Sequence, residues 1–269
     1  MASLLALSRA ASEEAKRFAV RALWLHVVAL AFAIVGLELA SPWGHSCGVL
    51  ALIAELIAWV LRFLSSRRHT AAETARRAAL LMNGYGTAKE PADAADIRAG
   101  LGTRIEVRAA SMEDPDYFSS TEPPGRSRFL DLFAESAFWS KHLYRLAGHV
   151  ALGSFVAVLT ATVVLFVLLT PTGVSPALVV FARVLVPTIS FFISVDLLGL
   201  SLGWYDAAGT ADSVDRTLRA EAIADEADVI RLFAEYGAAT ATSVPIPTWL
   251  YDRQHDRLNR EWNRRKGRA

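Results

Sequence analysis

FLDLFAESAFWSKHLYRLAGHVALGSFVAVLTATVVLFVLLT, Phe129 to Thr170, is the stretch on which the reading of this chain turns. Its first half is polar and repeats apolar residues at helical spacing: Phe129, Leu132, Phe133, Ala137, Leu143 and Tyr144. Its second half, Leu146 to Thr170, contains no Lys, Arg, Asp or Glu and is long enough to cross a hydrocarbon core of about 30 Å with some tilt. No proline separates the halves. The pattern predicts one continuous helix, half outside a membrane and half inside it.

Three further apolar runs fall into place around it. The first runs from about Phe18 to Leu39 and contains His26; at about 22 residues it exceeds the h-region of a signal peptide, about 7–15 residues. Ser41, Pro42, Trp43 and Gly44 turn the chain into the second, Cys47 to Leu64, with Glu55 near its middle. After Thr170 the turn PTGVSP leads to the fourth, Ala177 to Val195, which stays apolar to Leu202 and carries Arg183, Pro187 and, near its far end, Asp196. The fold class expected is an all-α membrane protein with four transmembrane helices in two hairpins and a cytosolic helical layer. The chain divides into a lead-in and first hairpin (1–64), a cytosolic segment (65–145), a second hairpin (146–202) and a cytosolic tail (203–269).

Orientation follows from the basic flanks. Arg9, Lys16, Arg17 and Arg21, then Arg62, Arg67, Arg68, Arg76 and Arg77, then Arg126, Arg128, Lys141 and Arg145 all lie on one side of the runs, and the two hairpin turns hold no Lys or Arg. Both termini and the central segment are therefore expected in the cytosol. In that segment SRRHTAAETARRAALLM should continue the second span as a helix until Asn83-Gly84. A short helix is expected over 92–101 and a strand over 104–107. The tail reads as one helix from about Ala211 to Tyr236, a break at SVPIP, and a last helix from about Thr248 to Arg265.

The composition, 53% hydrophobic and 20% charged with a net charge of +1, carries no catalytic signature. Gly84-Tyr85-Gly86 before Lys89 lacks the spacing of a phosphate-binding loop, and neither G-x-S-x-G nor H-E-x-x-H occurs. The single Cys47 excludes an internal disulfide and a cysteine-based zinc site, so neither metal nor cofactor is expected, and no enzyme. Charge inside a bilayer is costly and is partnered or functional. Glu55 lies about 12 Å into its span and Arg183 about 9 Å into a span running the same way, at about 1.5 Å per residue. They fit an ion pair or a polar path; alternatively Arg183 snorkels to the headgroups and Glu55 is protonated. Pro187 is a kink, structural or a gating hinge. On the cytosolic side Arg126, Arg128, Trp139, Lys141, Trp249, Arg253 and Arg257 combine guanidinium and ammonium groups that grip phosphates with rings that stack on bases; positive-inside topology with contacts to anionic lipid accounts for the same residues.

The sequence resembles the SMODS- and SLOG-associating four-transmembrane effector family of bacterial conflict systems. The resemblance rests on ESAFWSKHL (Glu135–Leu143), similar to the family's signature ahead of the third span, on DYFSSTEPPGRSR before it, and on PIPTWLYDRQHDRLNREW (Pro245–Trp262). FLDLFAES is more apolar than its family counterpart. The resemblance implies an effector of cyclic-oligonucleotide-based antiphage signalling (CBASS), located in the bacterial inner membrane. A neighbouring nucleotidyltransferase would make the ligand, and the effector would permeabilise the membrane as a homo-oligomer. The rival reading is a non-conducting anchored scaffold or sensor that recruits a partner through its tail.

Overall fold

The computed structural model describes residues 2–39, 41–87, 92–114, 117–169, 188, 189, 191, 195–220 and 225–267. Eight α-helices lie in these residues: α1 (Leu4–Glu38), α2 (Trp43–Tyr85), α3 (Ala94–Leu101), α4 (Thr103–Ala109), α5 (Arg126–Leu169), α6 (Leu197–Arg219), α7 (Glu226–Thr242) and α8 (Thr248–Arg265). No strand occurs among the described residues. Three helices, α1, α2 and α5, are long and apolar enough to cross a membrane. The expected fourth span, with Arg183 and Pro187, lies outside the described residues apart from its last part.

The chain clusters into two units. A polar unit comprises Met1–Lys16, Ser65–Ala147 and Gly203–Ala269; an apolar unit comprises Arg17–Leu64 and Gly148–Leu202. The central segment and the tail therefore share one unit, and α1, α2 and α5 each contribute to both.

The apolar unit is built as lipid would require. Trp24, Leu52, Leu56 and Trp59 are between 58% and 68% exposed, whereas small residues, Ala22, Ala29, Ala54 and Ala58, are buried. With no gain from burying apolar surface out of lipid, helices associate where small side chains let backbones approach. At Gly36 a Cβ would lie 2.9 Å from the Cβ of Cys47, and at Gly44 one would lie 2.7 Å from the Gly36 carbonyl oxygen. Those positions set how closely α1 and α2 cross.

The polar unit has an ordinary core. The lead-in forms the first turns of α1, capped by Ser3, whose Oγ accepts from the Ala6 amide at 3.1 Å. Its Leu4, Leu5, Leu7, Ala10 and Ala11 pack with Ala72 and Ala79 of α2, Leu101 of α3, and Ile105 and Ala109 of α4. That packing overturns the strand expected over 104–107. Ile105 and Ala109, four residues apart, share one helical face into this core, and a strand there would have no partner for its backbone.

The single tail helix expected over 211–236 is also corrected. α6 ends at Arg219, and α7 starts at Glu226 behind Asp225, whose side chain accepts from the Ala227 amide at 3.3 Å. The physical reason is reach. Val214 and Tyr236 belong to one core cluster with Phe129 and Phe133. A straight helix would hold them about 33 Å apart, at about 1.5 Å per residue. Ile230, within the single helix expected, is 63% exposed. The same cluster explains the apolar FLDLF of α5: Phe129 and Phe133 are at most 2% exposed and stack against Tyr85, Phe233 and Tyr236.

Gly84 does not stop α2, which runs on to Tyr85; the left-handed residue is Gly86, at φ 68°. Gly84 instead admits α5, because a Cβ there would sit 2.7 Å from the Phe129 Cα. Gly84→Val should therefore cost about 1–3 kcal/mol by overpacking, read as a lowered midpoint of thermal unfolding. A midpoint equal to wild type would show that the helices can separate freely at this crossing.

Candidate functional site

The motif Glu135–Leu143 is the stretch of α5 against which the loop before it and α8 pack. Glu135 Oε2 accepts from the Ser119 hydroxyl at 2.9 Å, and Ser119 Oγ accepts in turn from the Trp262 indole at 2.9 Å. Phe138 packs against Trp262 with ring centroids 5.3 Å apart. Trp139 stacks on Tyr251 of α8 at 5.7 Å and lies 5.8 Å from the His255 ring. Glu135, Phe138 and Trp139, within five residues of α5, thus hold the loop before it and both ends of α8.

The candidate ligand residues divide into three settings. Arg126 lies 3.3 Å from Glu226, and Arg128 donates to the carbonyls of Asn83 and Glu122 at 3.1 and 2.8 Å, which ties the loop before α5 to the end of α2. Lys141 is buried, with its ammonium 2.5 Å from Asp215 and 3.3 Å from Asp212. Trp249, Arg253 and Arg257 recur at four-residue intervals along α8 and are exposed; Arg257 lies 3.8 Å from Glu261. The structure brings Trp139 to α8, whose exposed stripe carries Trp249, Arg253 and Arg257. Along α5, Arg126 stands about 20 Å from Trp139, at about 1.5 Å per residue.

Among the intramembrane candidates, Glu55 has a described partner that its spacing to Arg183 did not reveal. Its Oε2 lies 2.8 Å from His26 Nδ1, and His26 is only 4% exposed. A carboxyl group and an imidazole sharing a hydrogen bond lower each other's cost in lipid. Asp196 adopts φ 50°, a left-handed conformation that Asp tolerates, and its Oδ1 accepts from the Gly199 amide at 3.0 Å. It caps the start of α6.

A second polar network lies where the sequence pointed to none. His69, Glu73 and Arg76 fall on one face of α2, and hydrogen bonds tie that face to α5 and α7. Arg76 donates to Glu73 at 2.7 Å and to the Tyr236 hydroxyl at 3.2 Å. The Tyr236 oxygen also lies 2.7 Å from Ser140 Oγ. His69 Nε2 donates to the Thr240 carbonyl at 3.1 Å, and the Tyr144 hydroxyl accepts from Ser243 at 2.9 Å. The 4-then-3 spacing of polar residues on an alanine face was the available signal; positive-inside counting absorbed Arg76 instead. Burial pushes the Glu73 carboxyl up, but the charge and hydrogen bond of Arg76, together with His69 and the Thr240 hydroxyl, outweigh it and hold it below the usual range.

Burial lowers His69 from its ordinary value of 6.5, against weaker opposing effects of Glu73 and the Thr240 carbonyl. The unfolded chain then takes up a proton that the folded chain refuses, so stability should decline as pH falls below about 6.5. His142, half-buried beside Lys141, is lowered as well and adds to the slope. His69→Gln protein should show a shallower decline in chemical denaturation between about pH 8 and about pH 5, and His69→Gln/His142→Gln a shallower one still. Unchanged slopes in both would rule out these imidazoles as the cause.

Chemically, the arrangement offers stacking surfaces, guanidinium forks and buried ion pairs. No group of His, Cys, Asp and Glu that could hold a metal ion occurs among the described residues. The class the fold defines is an all-helical membrane protein whose apolar helices extend into a polar helical unit. Set against known proteins, the chain matches no family model, no curated protein and no solved structure.

Proposed function

We propose that this chain is a membrane effector whose polar unit senses a cyclic oligonucleotide and whose apolar unit permeabilises the bacterial inner membrane. The observation that carries the reading is the unbroken course of α5 from Arg126 to Leu169. One rod holds the docking residues of the sensing unit at one end and a membrane-length apolar run at the other. The resemblance of Glu135–Leu143 and Pro245–Trp262 to a family of such effectors supplies the ligand class and the setting. In this reading four spans cross the membrane in two hairpins, both termini are cytosolic, and several copies assemble. A single chain offers too few polar residues in its spans to line a wide aqueous path.

In this reading the ligand binds α8, where the exposed Trp249, Arg253 and Arg257 supply a ring and two guanidinium groups. Removing either guanidinium should weaken binding by about 1.5–3 kcal/mol, the worth of one charge-assisted hydrogen bond. The test is induced expression with the neighbouring nucleotidyltransferase, read with a membrane-potential dye. Loss of potential that requires both proteins, and that Arg253→Ala/Arg257→Ala abolishes, is the expected result. Growth arrest with potential intact would replace the effector by a non-conducting scaffold or sensor that recruits a partner through its tail.

A further inference from the structure

Resting on the reading that α8 binds a cyclic oligonucleotide, we infer that its binding face extends past Arg257 to Arg260 and Arg264 and takes a ring with three or more phosphates in preference to one with two. Trp249, Arg253, Arg257, Arg260 and Arg264 follow one another at intervals of four, four, three and four residues, which places them on one face of a helix. The opposite face carries Leu258 and Trp262, each at most 2% exposed.

All four arginines are exposed. The guanidinium groups of Arg253, Arg260 and Arg264 make no hydrogen bond or ion pair among the described residues, and Arg257 meets only Glu261, at 3.8 Å. Three other exposed arginines of the polar unit do pair: Arg216, Arg219 and Arg231 lie 3.6, 2.8 and 3.2 Å from a carboxylate. Asp256 is spaced to reach both Arg253 and Arg260, yet it lies 3.3 Å from His255 instead. The stripe is therefore a row of open guanidinium forks with an exposed ring, Trp249, at its start.

A guanidinium fork matches two oxygens of one phosphate. At one phosphate per fork, a cyclic dinucleotide satisfies Arg253 and Arg257 beside Trp249 and leaves Arg260 and Arg264 idle. A cyclic trinucleotide brings a third phosphate to that second pair, and a larger ring a fourth. The four Cα atoms span about 16 Å along the helix, at about 1.5 Å per residue, and the arginine stems are flexible enough to close on a ring. Trp249 in line with the forks favours a nucleotide over a lipid phosphate, because an aromatic ring stacks on a base. The packed face of α8 fixes the helix before ligand arrives, so binding orders side chains alone.

Calorimetry on the full chain in neutral detergent tests this, with matched cyclic dinucleotides and trinucleotides of adenylate, guanylate and uridylate as probes. Wild type should bind its preferred trinucleotide at least about tenfold more tightly than the matching dinucleotide, the equivalent of one charge-assisted contact. Arg260→Gln/Arg264→Gln should bring trinucleotide affinity down to that of the dinucleotide. The same variant should flatten the dependence of trinucleotide binding on salt by at least about 0.7 in the logarithmic slope, the share of one single-strand phosphate. It removes no described contact of either guanidinium, so its unfolding midpoint should equal that of wild type. Equal wild-type affinities for the two sizes, unchanged trinucleotide binding in the variant, or an equal loss for both sizes would overturn the extension and leave the sensing reading in place. No binding of any probe by wild type would overturn both.

Discussion

Asp215→Ala protein should lose about 3–5 kcal/mol of stability, the largest loss expected of any single substitution in the polar unit. Asp215 is wholly buried and holds Lys141 and Arg265, whose side chains are themselves only 9% and 21% exposed. Removing the carboxylate leaves two largely desolvated cations side by side, so the penalty is that of uncompensated charge rather than of one missing hydrogen bond. Burial pushes the Asp215 carboxyl up, yet the hydrogen bonds and charges of Lys141 and Arg265 outweigh it and hold it below its ordinary 3.8. A carboxylate with a depressed value contributes stability that is present above the unfolded value and lost as pH falls through the folded one. The difference between variant and wild type should therefore persist to mildly acid pH and shrink only below about 3.8. Chemical denaturation in detergent, followed by tryptophan fluorescence, measures it. Arg216→Ala is the control: its pairing with Asp212 is 3.6 Å long and exposed, worth under about 1 kcal/mol. An Asp215→Ala loss no larger than that control would mean the cluster does not anchor α6 to α5.

Inserting Gly-Gly between Ala147 and Gly148 is expected to abolish ligand-dependent depolarisation while leaving ligand binding unchanged. The insertion point is where the polar unit ends along α5, so the docking residues Glu135 to Arg145 keep their neighbours. Two added residues turn the following helix by about 200° and advance it by about 3 Å. Two helical glycines also weaken the rod by about 2 kcal/mol relative to alanine. A displacement in the polar unit then bends the joint instead of tilting the apolar run. Calorimetry on purified protein reads binding and the potential dye reads output, so the two effects separate. Normal depolarisation by the inserted protein would show that the signal does not travel through α5.

His26 and Glu55 pair within the apolar unit. With the pair 2.8 Å apart in the apolar unit, replacing either residue leaves the other without its described partner, at a cost set by lipid. The spacing argument that set Glu55 opposite Arg183 compared depths along two spans and could not tell which helix is the neighbour. Among the described residues His26 of α1 lies against Glu55 of α2; Arg183 lies outside them.

Much of the fold could be read in one dimension. The course of α5 through Phe129–Leu169, the extension of α2 past Leu64 and the bounds of α8 depend on local matters: unbroken apolar periodicity, the lengths of apolar runs, and the prolines that precede α8. These preferences act within a few residues, so they survive without knowledge of neighbours. The membrane character of α1, α2 and α5 follows in the same way, since a bilayer requires length and apolarity and nothing else.

What tertiary structure alone decided depends on which helices meet. Residues 103–109 are helical because Ile105 and Ala109 need one face on α1, and α6 and α7 are separate helices because Val214 and Tyr236 need the same core. Lys141 read as a candidate phosphate contact, and α6 brings Asp212 and Asp215 to it. Gly84 resembled a helix stop until Phe129 was found against it. Arg76 counted only as a basic flank until Tyr236 of α7 was found against it. In each case residues far apart in the chain compete with local preference through burial or charge. A burial partner or a counter-charge supplied by another helix leaves no trace in the spacing of the residues it pairs with.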